Sequence, residues 1–371
     1  MKSVLVTGSD GFIGKNLGVA LKRRAEVDVI EYDLDSPAGL LEEGLAKADV
    51  IYHLAGVNRP EKVEEFSRGN FELTRQVCNA LKRLGRTPQL VLSSSTQAVL
   101  DNPYGLSKRR AEETVFDFGK NTGASVFVFR LSGVFGKWCR PNYNSVVATF
   151  CNNIARDLPI AISDPVREIE LVYIDDVIRA FIDVMDGCLP VSNGKYFLAK
   201  PTFRITLGAL AETIRKFRES RVSLSIPEVS DPFIRNLYAT YISYLSTHSF
   251  AYTLTQQSDL RGELAELLKS PRIGQIFVSR TRAGFTRGNH YHDTKVEKFI
   301  VMEGDAVIRF RHILGGDVIE YPVSGREFRV VDIPPGYTHS IENVGKTDMI
   351  VLFWANEIFN PSDPDTFGLP V

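Results

Sequence analysis

Cysteine is scarce in this chain. Its four residues (Cys78, Cys139, Cys151 and Cys188) are scattered and form no CxxC pair. That excludes a disulfide scaffold and fits a reducing compartment. Cys139 and Cys151 carry no supporting histidine and read as inert. Net charge is nearly absent, at −1. Nothing in that balance suggests a nucleic acid or an acidic membrane as partner. Long apolar runs are missing too. Stretches such as Met349 to Ala355 are far too short to span a bilayer. No leader is visible, because Met1 runs straight into an apolar strand and a Gly-rich turn. A cytoplasmic protein is the expectation. Low-complexity segments and repeats of about 20–50 residues are absent. Histidine is rare as well. There are six, and three of them fall in one pattern near the C-terminal end.

A chain of 371 residues has room for two or three domains. Apolar strand patterns at 3–7, 27–32, 49–54, 89–92 and 125–131 alternate with helical stretches at 15–24, 62–84 and 104–120. Such alternation predicts a parallel, doubly wound α/β sheet covered on both faces. Phe233, Leu237, Tyr241 and Tyr244 fall on one helical stripe. This reads as a packing face that ends the first domain or docks the second. From about residue 247 short β-rich runs take over, at 273–281, 298–301, 306–312, 318–322, 327–333 and 349–354. Gly, Pro and Asp turns separate them. They predict an antiparallel barrel or jelly roll. The expected domains are therefore 1–246 and 247–371.

Thr7-Gly8-Ser9-Asp10-Gly11-Phe12-Ile13-Gly14 follows a strand and opens a helix. Glycines permit a tight turn and close approach of backbone to a pyrophosphate, and the helix N-terminus offers it free N–H groups. Asp33 ends the next strand, 19 residues beyond Gly14, where an acid can bond an adenosine ribose. Tyr104 and Lys108 stand four apart on a predicted helix and share a face. A lysine there favours the phenolate and lowers the tyrosine pKa from about 10. Such a tyrosine can protonate a carbonyl oxygen while hydride reaches the carbon.

The histidine pattern runs Gly284, His290, His292, Glu297, Gly304, then Pro334, Gly336, His339 and Asn343. Imidazoles at i and i+2 point to one face of a strand. With Glu297 and His339 they could close a four-ligand metal site of His290, His292, Glu297 and His339. Zinc is the default for this set, with Mn, Fe and Ni left open. The competing reading is a barrel with structural histidines. His53, His248 and His312 take a structural default, although His312 lies on a barrel strand and could line the cavity.

Residues 1 to about 245 resemble the extended short-chain dehydrogenase/reductases, which work mostly on nucleotide sugars. The matching segments are TGSDGFIG (7–14), HLAG (53–56), Asn70, SSST (93–96), YGLSK (104–108), FRLSGVFG (129–136) and VYIDDV (172–177). The resemblance implies Tyr104 as proton donor and Lys108 as pKa depressor and ribose anchor. It also implies a serine holding the substrate oxygen, Ser95 by alignment of the strand end, with Ser94 the alternative. Only eight residues separate Ser95 from Tyr104, fewer than the family usually shows. Gly8, Asp10, Gly11, Phe12, Ile13, Gly14, Asp33, Leu54, Ala55 and Gly56 would line the cofactor with Tyr104 and Lys108. Lys137, Arg140, Asn144 and Arg167 lie where the family binds the nucleotide of its substrate. They are diphosphate or uridine contacts, or else solvated surface.

Residues 270–355 resemble the cupins. The first motif matches in full, while in the second Gly325 falls three residues too early for the leading glycine. The implied product is a small β-barrel holding a divalent metal on the four named ligands. The pairing of the two domains resembles the bifunctional CapF-type enzymes of capsular polysaccharide biosynthesis, on the route to UDP-N-acetyl-L-fucosamine. It implies a UDP-linked 4-keto-6-deoxy amino sugar, UDP-2-acetamido-2,6-dideoxy-β-L-arabino-hex-4-ulose. The cupin would epimerise C3, and the reductase would then reduce the C4 ketone to a UDP-N-acetyl-L-talosamine-type product. That subfamily is associated with NADPH, whereas Asp33 by itself favours NADH. NADPH is the expectation, with Asp33 turned away or on the adenine region. Lys295, Tyr291 and a metal-bound water are the positional candidates for the C3 base. Cupin faces commonly pair, so a homodimer is expected. Two alternatives stand beside this one. One is a single-activity nucleotide-sugar 4-ketoreductase with a structural or dimerising cupin. The other is a non-enzymatic redox sensor, which the intact Tyr104–Lys108 pair argues against.

Overall fold

The computed structural model describes all 371 residues. They form two compact units, residues 1–215 with 231–246, and residues 216–230 with 247–371. The division is not a single cut near residue 246. The backbone of 224–226 lies along residue 269, with Ile226 N–H donating to Lys269 O (2.9 Å) and Lys269 N–H to Leu224 O (2.8 Å). That pairing is sequence-distant and leaves no periodic trace in the 216–230 segment itself.

In the first unit the strands β1 (Lys2–Thr7), β2 (Val27–Tyr32), β3 (Val50–His53), β4 (Gln89–Ser95) and β5 (Val126–Leu131) pair in parallel. Short strands β8 (Ser192–Asn193) and β9 (Tyr196–Phe197) extend one edge, in the order β2-β1-β3-β4-β5-β9-β8. The antiparallel β8 is the one exception to the expected all-parallel sheet. A second sheet joins β6 (Gly133–Phe135), β7 (Glu168–Tyr173) and β10 (Thr202–Thr206). Side chains alternate across the main sheet as strand geometry requires. Val4, Val6, Tyr52, Val91 and Phe129 bury one face against α1 (Phe12–Lys22) and α7 (Ile174–Met185). Leu5, Ile51, Leu90 and Val128 bury the other against α2 (Leu40–Lys47), α4 (Leu73–Leu84) and α5 (Pro103–Thr122).

The helix expected over 62–84 is interrupted. A short α3 (Glu64–Phe66) passes into a π-helical stretch, Ser67–Glu72, before α4. Helices α6 (Val146–Ile154), α8 (Leu207–Ser223) and α9 (Pro232–Ser243) complete the set. The predicted stripe on α9 is buried at Phe233, Leu237, Tyr241 and, just past its end, Tyr244. The Phe233 ring packs on Phe203 and Phe135 at 5.1 and 5.8 Å.

The second unit is two facing antiparallel sheets, as a cupin barrel requires. One runs β11 (Gln256–Asp259), β12 (Gly262–Ser270), β13 (Gly274–Thr281), β20 (Met349–Ala355), β15 (Glu297–Glu303), β18 (Val330–Ile333). The other runs β17 (Ile319–Ser324), β16 (Asp305–His312), β19 (Tyr337–Asn343), β14 (Thr286–Tyr291), β21 (Phe367–Gly368). Phe299, Val301, Ile308, Phe310, Val351 and Phe353 fill the space between them. Asn343 ties that core's polar end. Fully buried, it donates to Thr281 O (2.8 Å) and Thr347 O (2.9 Å) and accepts from Gly345 N–H (3.0 Å). Asn343→Ala removes both donated bonds and leaves the buried Thr281 carbonyl without this donor, while the Gly345 N–H keeps Asp305 O at 3.2 Å. It should cost the second unit roughly 2–4 kcal/mol, read as an earlier midpoint in denaturant unfolding. An unchanged midpoint would contradict this account.

Candidate functional site

The first site lies where the strand order reverses between β1 and β3, the position at which open α/β sheets bind ligands. Gly8 sits at φ +74°, and a Cβ there would fall 2.6 Å from Ala55 N. A Cβ on Gly14 would fall 2.1 Å from Gly8 O. These two glycines let α1 close onto the loop, and Gly11 caps the helix without a side-chain bond. The first-turn N–H groups, including those of Phe12 and Ile13, are left for an anion. Asp33 turns back onto this loop. Its carboxylate accepts the Asp10 N–H and the Leu34 N–H, both at 2.8 Å.

Leu54 and Ala55 are held by Thr7. Leu54 N–H donates to Thr7 O (3.1 Å) and Ala55 N–H approaches Thr7 Oγ1 (3.4 Å). The Thr7 hydroxyl also meets His53 Nδ1 at 2.7 Å, and His53 Nε2 meets Thr74 Oγ1 at 2.9 Å. Burial, reinforced by Lys108, drives the His53 imidazole down to about 3. His53 is thus a neutral link between Thr7 and Thr74. The π-helical turn aims Asn70 inward, where it brackets Val57 N–H and C=O (2.9 and 3.0 Å) and reaches Ser107 Oγ (2.9 Å). Gly56 has no room for a side chain, since a Cβ would meet Asn70 Oδ1 at 2.7 Å and Lys108 Nζ at 3.0 Å.

Helix α5 starts by design. Asn102 caps it by accepting the Gly105 N–H, with Pro103 in its first turn. This places Tyr104 half-buried in the first turn and Lys108 buried one turn later. The Tyr104 hydroxyl donates to Asn58 Oδ1 at 3.1 Å, and the Ser95 hydroxyl lies on the side that favours its phenolate. Burial raises the Tyr104 phenol, and Ser95 opposes the shift. The lysine is itself depressed to about 8 by burial, partly offset by Glu112, and donates to Ser93 O at 3.2 Å. Ser94 is drawn elsewhere. Its hydroxyl donates to buried Glu112 (2.5 Å), which also binds Arg130 at 2.6 Å.

The four nucleotide-contact candidates are not gathered into one cluster. Lys137 pairs with Asp175 at 2.8 Å, and the Arg140 guanidinium lies over the Tyr143 ring at 5.1 Å. Asn144 is exposed in the same loop, while Arg167 is exposed in the turn before β7. Arg59, which the sequence reading passed over, donates to Tyr143 O and ties the 57–60 loop to that segment. Asn58 was passed over too. Neither side chain repeats a motif, so only the folded loop reveals them.

The second site gathers all four predicted ligands. His290 ends β14 beside His339 of β19, which is its register partner. Glu297 opens β15 in the facing sheet, and His292 precedes the crossing between sheets. The four ligand atoms lie within 4.8 Å of one another. His292 Nε2 and His339 Nε2 stand 3.4 and 3.5 Å from Glu297 Oε2. Burial pushes the Glu297 carboxyl up, but the two imidazoles outweigh it and hold it at about 2. Burial, with the neighbouring His339 and His292, takes His290 down to about 4. His292 Nε2 and both His339 ring nitrogens are buried without a hydrogen-bond partner. Orphaned nitrogens converging on a carboxylate fit a divalent cation, which needs neutral imidazoles and an ionised carboxylate.

The same barrel holds a cavity of about 420 Å³, lined among others by Phe310, Tyr321, Arg329, Val331 and Tyr337 and by none of the four ligand residues. Phe310 is the register partner of His339, and Tyr337 follows two residues earlier on the same face of β19. Two candidate bases are already employed. Lys295 is buried and donates to Pro364 O at 2.6 Å, and Tyr291 stacks on Phe367 at 5.2 Å. His312 packs its ring against Tyr337 at 5.0 Å.

Fold and sites together define a short-chain dehydrogenase/reductase carrying a cupin. Residues 4–196 match the NAD dependent epimerase/dehydratase family, and residues 257–367 match the polysaccharide biosynthesis C-terminal domain. A Pseudomonas aeruginosa protein, UDP-2-acetamido-2,6-beta-L-arabino-hexul-4-ose reductase, is 48% identical over 99% of this chain and 98% of its own. The capsular polysaccharide assembling protein CapF of Staphylococcus aureus superposes with a TM-score of 0.93. It is 43% identical and covers 99% of this chain and 100% of its own. A Bacillus cereus UDP-glucuronic acid 4-epimerase shares the fold alone, at 20% identity and a TM-score of 0.54 over 65% of this chain and 98% of its own. The chain belongs to the CapF-type enzymes of the NAD dependent epimerase/dehydratase family. No helix is long and apolar enough to cross a membrane.

Lys108 is protonated below its depressed value of about 8 and neutral above it. Any contribution of its ammonium is therefore present at neutral pH and lost as pH rises through about 8. Single-turnover hydride transfer should fall about tenfold per pH unit on that limb. Lys108→Met should leave a slow, flat profile. A wild-type rate constant up to pH 10 would refute the assignment.

Proposed function

We propose that this chain processes one UDP-linked 4-keto-6-deoxy-N-acetylhexosamine twice, for capsular polysaccharide precursor synthesis. The second unit epimerises C3, and the first reduces the C4 ketone to a UDP-N-acetyl-L-talosamine-type product. The name of the P. aeruginosa relative supports the substrate class. The observation that carries the two-step reading over a single-activity ketoreductase is the cupin site. Three imidazoles and a carboxylate converge there, and the same barrel holds a cavity of about 420 Å³, within the range of small-molecule sites. A barrel used only for bracing has no need of unpartnered buried nitrogens gathered on one carboxylate.

In the first unit the Ser95 hydroxyl favours the Tyr104 phenolate, and the two hydroxyls can address one carbonyl oxygen together. Tyr104 gives its proton to that oxygen as C4 is reduced, and Ser95 holds the oxygen in place. The raised phenol keeps the proton on Tyr104 until negative charge develops. Asn58 accepts that proton's hydrogen bond until the substrate oxygen replaces it. Reduced nicotinamide, held on the Gly-rich turn, would supply the hydride. NADPH is the reading here, supported by Asp33 spending its carboxylate on Asp10 and Leu34 N–H groups.

In the second unit the C4 ketone acidifies the C3 proton. Loss of that proton and reprotonation from the other face invert the centre. With Lys295 and Tyr291 engaged elsewhere, Tyr337, which lines the cavity on the face of His339, is placed to carry a proton to or from C3. A divalent ion, Zn2+ by ligand type, would be held by His290, His292, Glu297 and His339 and would supply positive charge beside the enolate oxygen.

A nucleotide sugar and reduced nicotinamide as reactants point to the cytoplasm. Exposed Val318, Phe328 and Val330 at or beside the edge strands β17 and β18 support a homodimer, since unprotected apolar edges invite pairing. A monomer in sedimentation equilibrium at micromolar concentration would exclude it.

The two chemistries separate in D2O. Without reductant, deuterium should enter C3, and His290→Ala should abolish this while Tyr104→Phe spares it. With NADPH, Tyr104→Phe and Ser95→Ala should slow hydride transfer about 10²–10⁴-fold, and Ser94→Ala should leave it within a few-fold. Absence of wash-in would leave only the single-activity ketoreductase.

A further inference from the structure

We infer that Asp365 is a positioning residue of the second site, fixing both the tautomer of His292 and the path of the chain between His292 and Glu297. The inference rests on the reading that the four side chains hold a divalent ion. Residues 364–371 are not near the ligands in sequence, and no motif includes them. In the fold they lie across both ligand-bearing strands of one sheet. Strand β21 pairs with β14, matching Gly368 to His290 and Phe367 to Tyr291. Leu369 N–H donates to Asn289 O (2.9 Å), and Thr338, beside His339, donates its hydroxyl to Leu369 O.

Asp365 acts through two groups. Its backbone carbonyl meets His292 Nδ1 at 2.5 Å. A carbonyl can only accept, so Nδ1 carries the hydrogen and Nε2 of the neutral ring keeps its lone pair. That Nε2 is the buried, unpartnered nitrogen facing Glu297. Outer partners of this type orient ligating imidazoles and raise their basicity. The Asp365 carboxylate gathers the next three residues. One oxygen accepts the Asp293 N–H at 2.9 Å. The other accepts the N–H and hydroxyl of Thr294, both at 3.0 Å, and the Lys295 N–H at 2.8 Å. These residues form the crossing between the two sheets, so the clamp sets where Glu297 stands relative to His292. Asp365 itself sits at φ +39°, in the left-handed region that Asp, Asn and Gly tolerate. Lys295 secures the same segment from the other side through Pro364 O.

A tail that merely docks would brace the barrel without touching metal affinity. The two roles come apart with Asp365→Gly, which keeps the backbone conformation and the carbonyl but removes the clamp. Zn2+ affinity by chelator competition should weaken about 10–100-fold. The visible absorption of the Co2+-loaded protein should shift in position or intensity. Asp365→Asn, which retains one acceptor oxygen, should fall between and supplies the measurement if the glycine variant does not fold. Phe367→Ala, which loosens the tail through the Tyr291 stack, should leave both readouts near wild type. Unchanged Zn2+ affinity and Co2+ spectrum in Asp365→Gly would overturn the inference, as would an equal weakening in Phe367→Ala. If wild-type protein takes up neither Zn2+ nor Co2+, the metal reading itself falls and this inference with it.

Discussion

Glu297 carries a carboxylate into the interior of a β-barrel, where an isolated charge is very costly unless it is paired. The second unit is arranged around that cost. Three imidazoles from two strands of the facing sheet and from the crossing between sheets meet this one carboxylate. The remaining lone pairs are left pointing at a common centre rather than at backbone donors. Phe299 and Phe310 pack their rings near His339, at 5.8 and 6.5 Å. A barrel of this size has ample serine, threonine and backbone with which to satisfy a buried histidine. That it does not do so for His339 is the strongest mark of a ligand site in the molecule.

The first unit meets the same constraint in the opposite way. Lys108, His53, Thr7, Thr74, Asn70 and Ser107 are all buried, and every one is hydrogen-bonded to a neighbour. The result is a stiff polar layer beneath the Gly-rich turn and the first turn of α5. Burial there moves both titrating groups of the Tyr104–Lys108 pair, the lysine down and the phenol up.

Much of this was legible in the chain. TGSDGFIG and YGLSK fall on strand–turn–helix and helix-start positions, because glycine spacing and an Asn-Pro start are local signals. The four residues of the histidine site were legible as a set and lie together in the fold, since i and i+2 imidazoles on a strand require little else. Other features were not legible. The π-helical turn at 67–72 arises because Asn70 must reach Val57 and Ser107, a demand made by a distant loop. Ser94 and Ser95 are indistinguishable as letters and are separated by which one Glu112 captures. Lys295 and Tyr291 meet Pro364 and Phe367 from far along the chain, contacts that no local spacing announces. Residues 216–230 gave no sign that they pack in the second unit.

Local spacing by itself determined the two chemistries on this polypeptide. A turn that admits a pyrophosphate, a tyrosine one helical turn before a lysine, and a ligand set on strand spacing are properties of adjacent residues. The tertiary structure alone decided which of those residues are free to act. Freedom depends on partners brought from far along the chain: Glu112 to Ser94, Asn58 to Tyr104 and Asp365 to His292. Such partners are chosen by packing, and packing sets no period in the sequence.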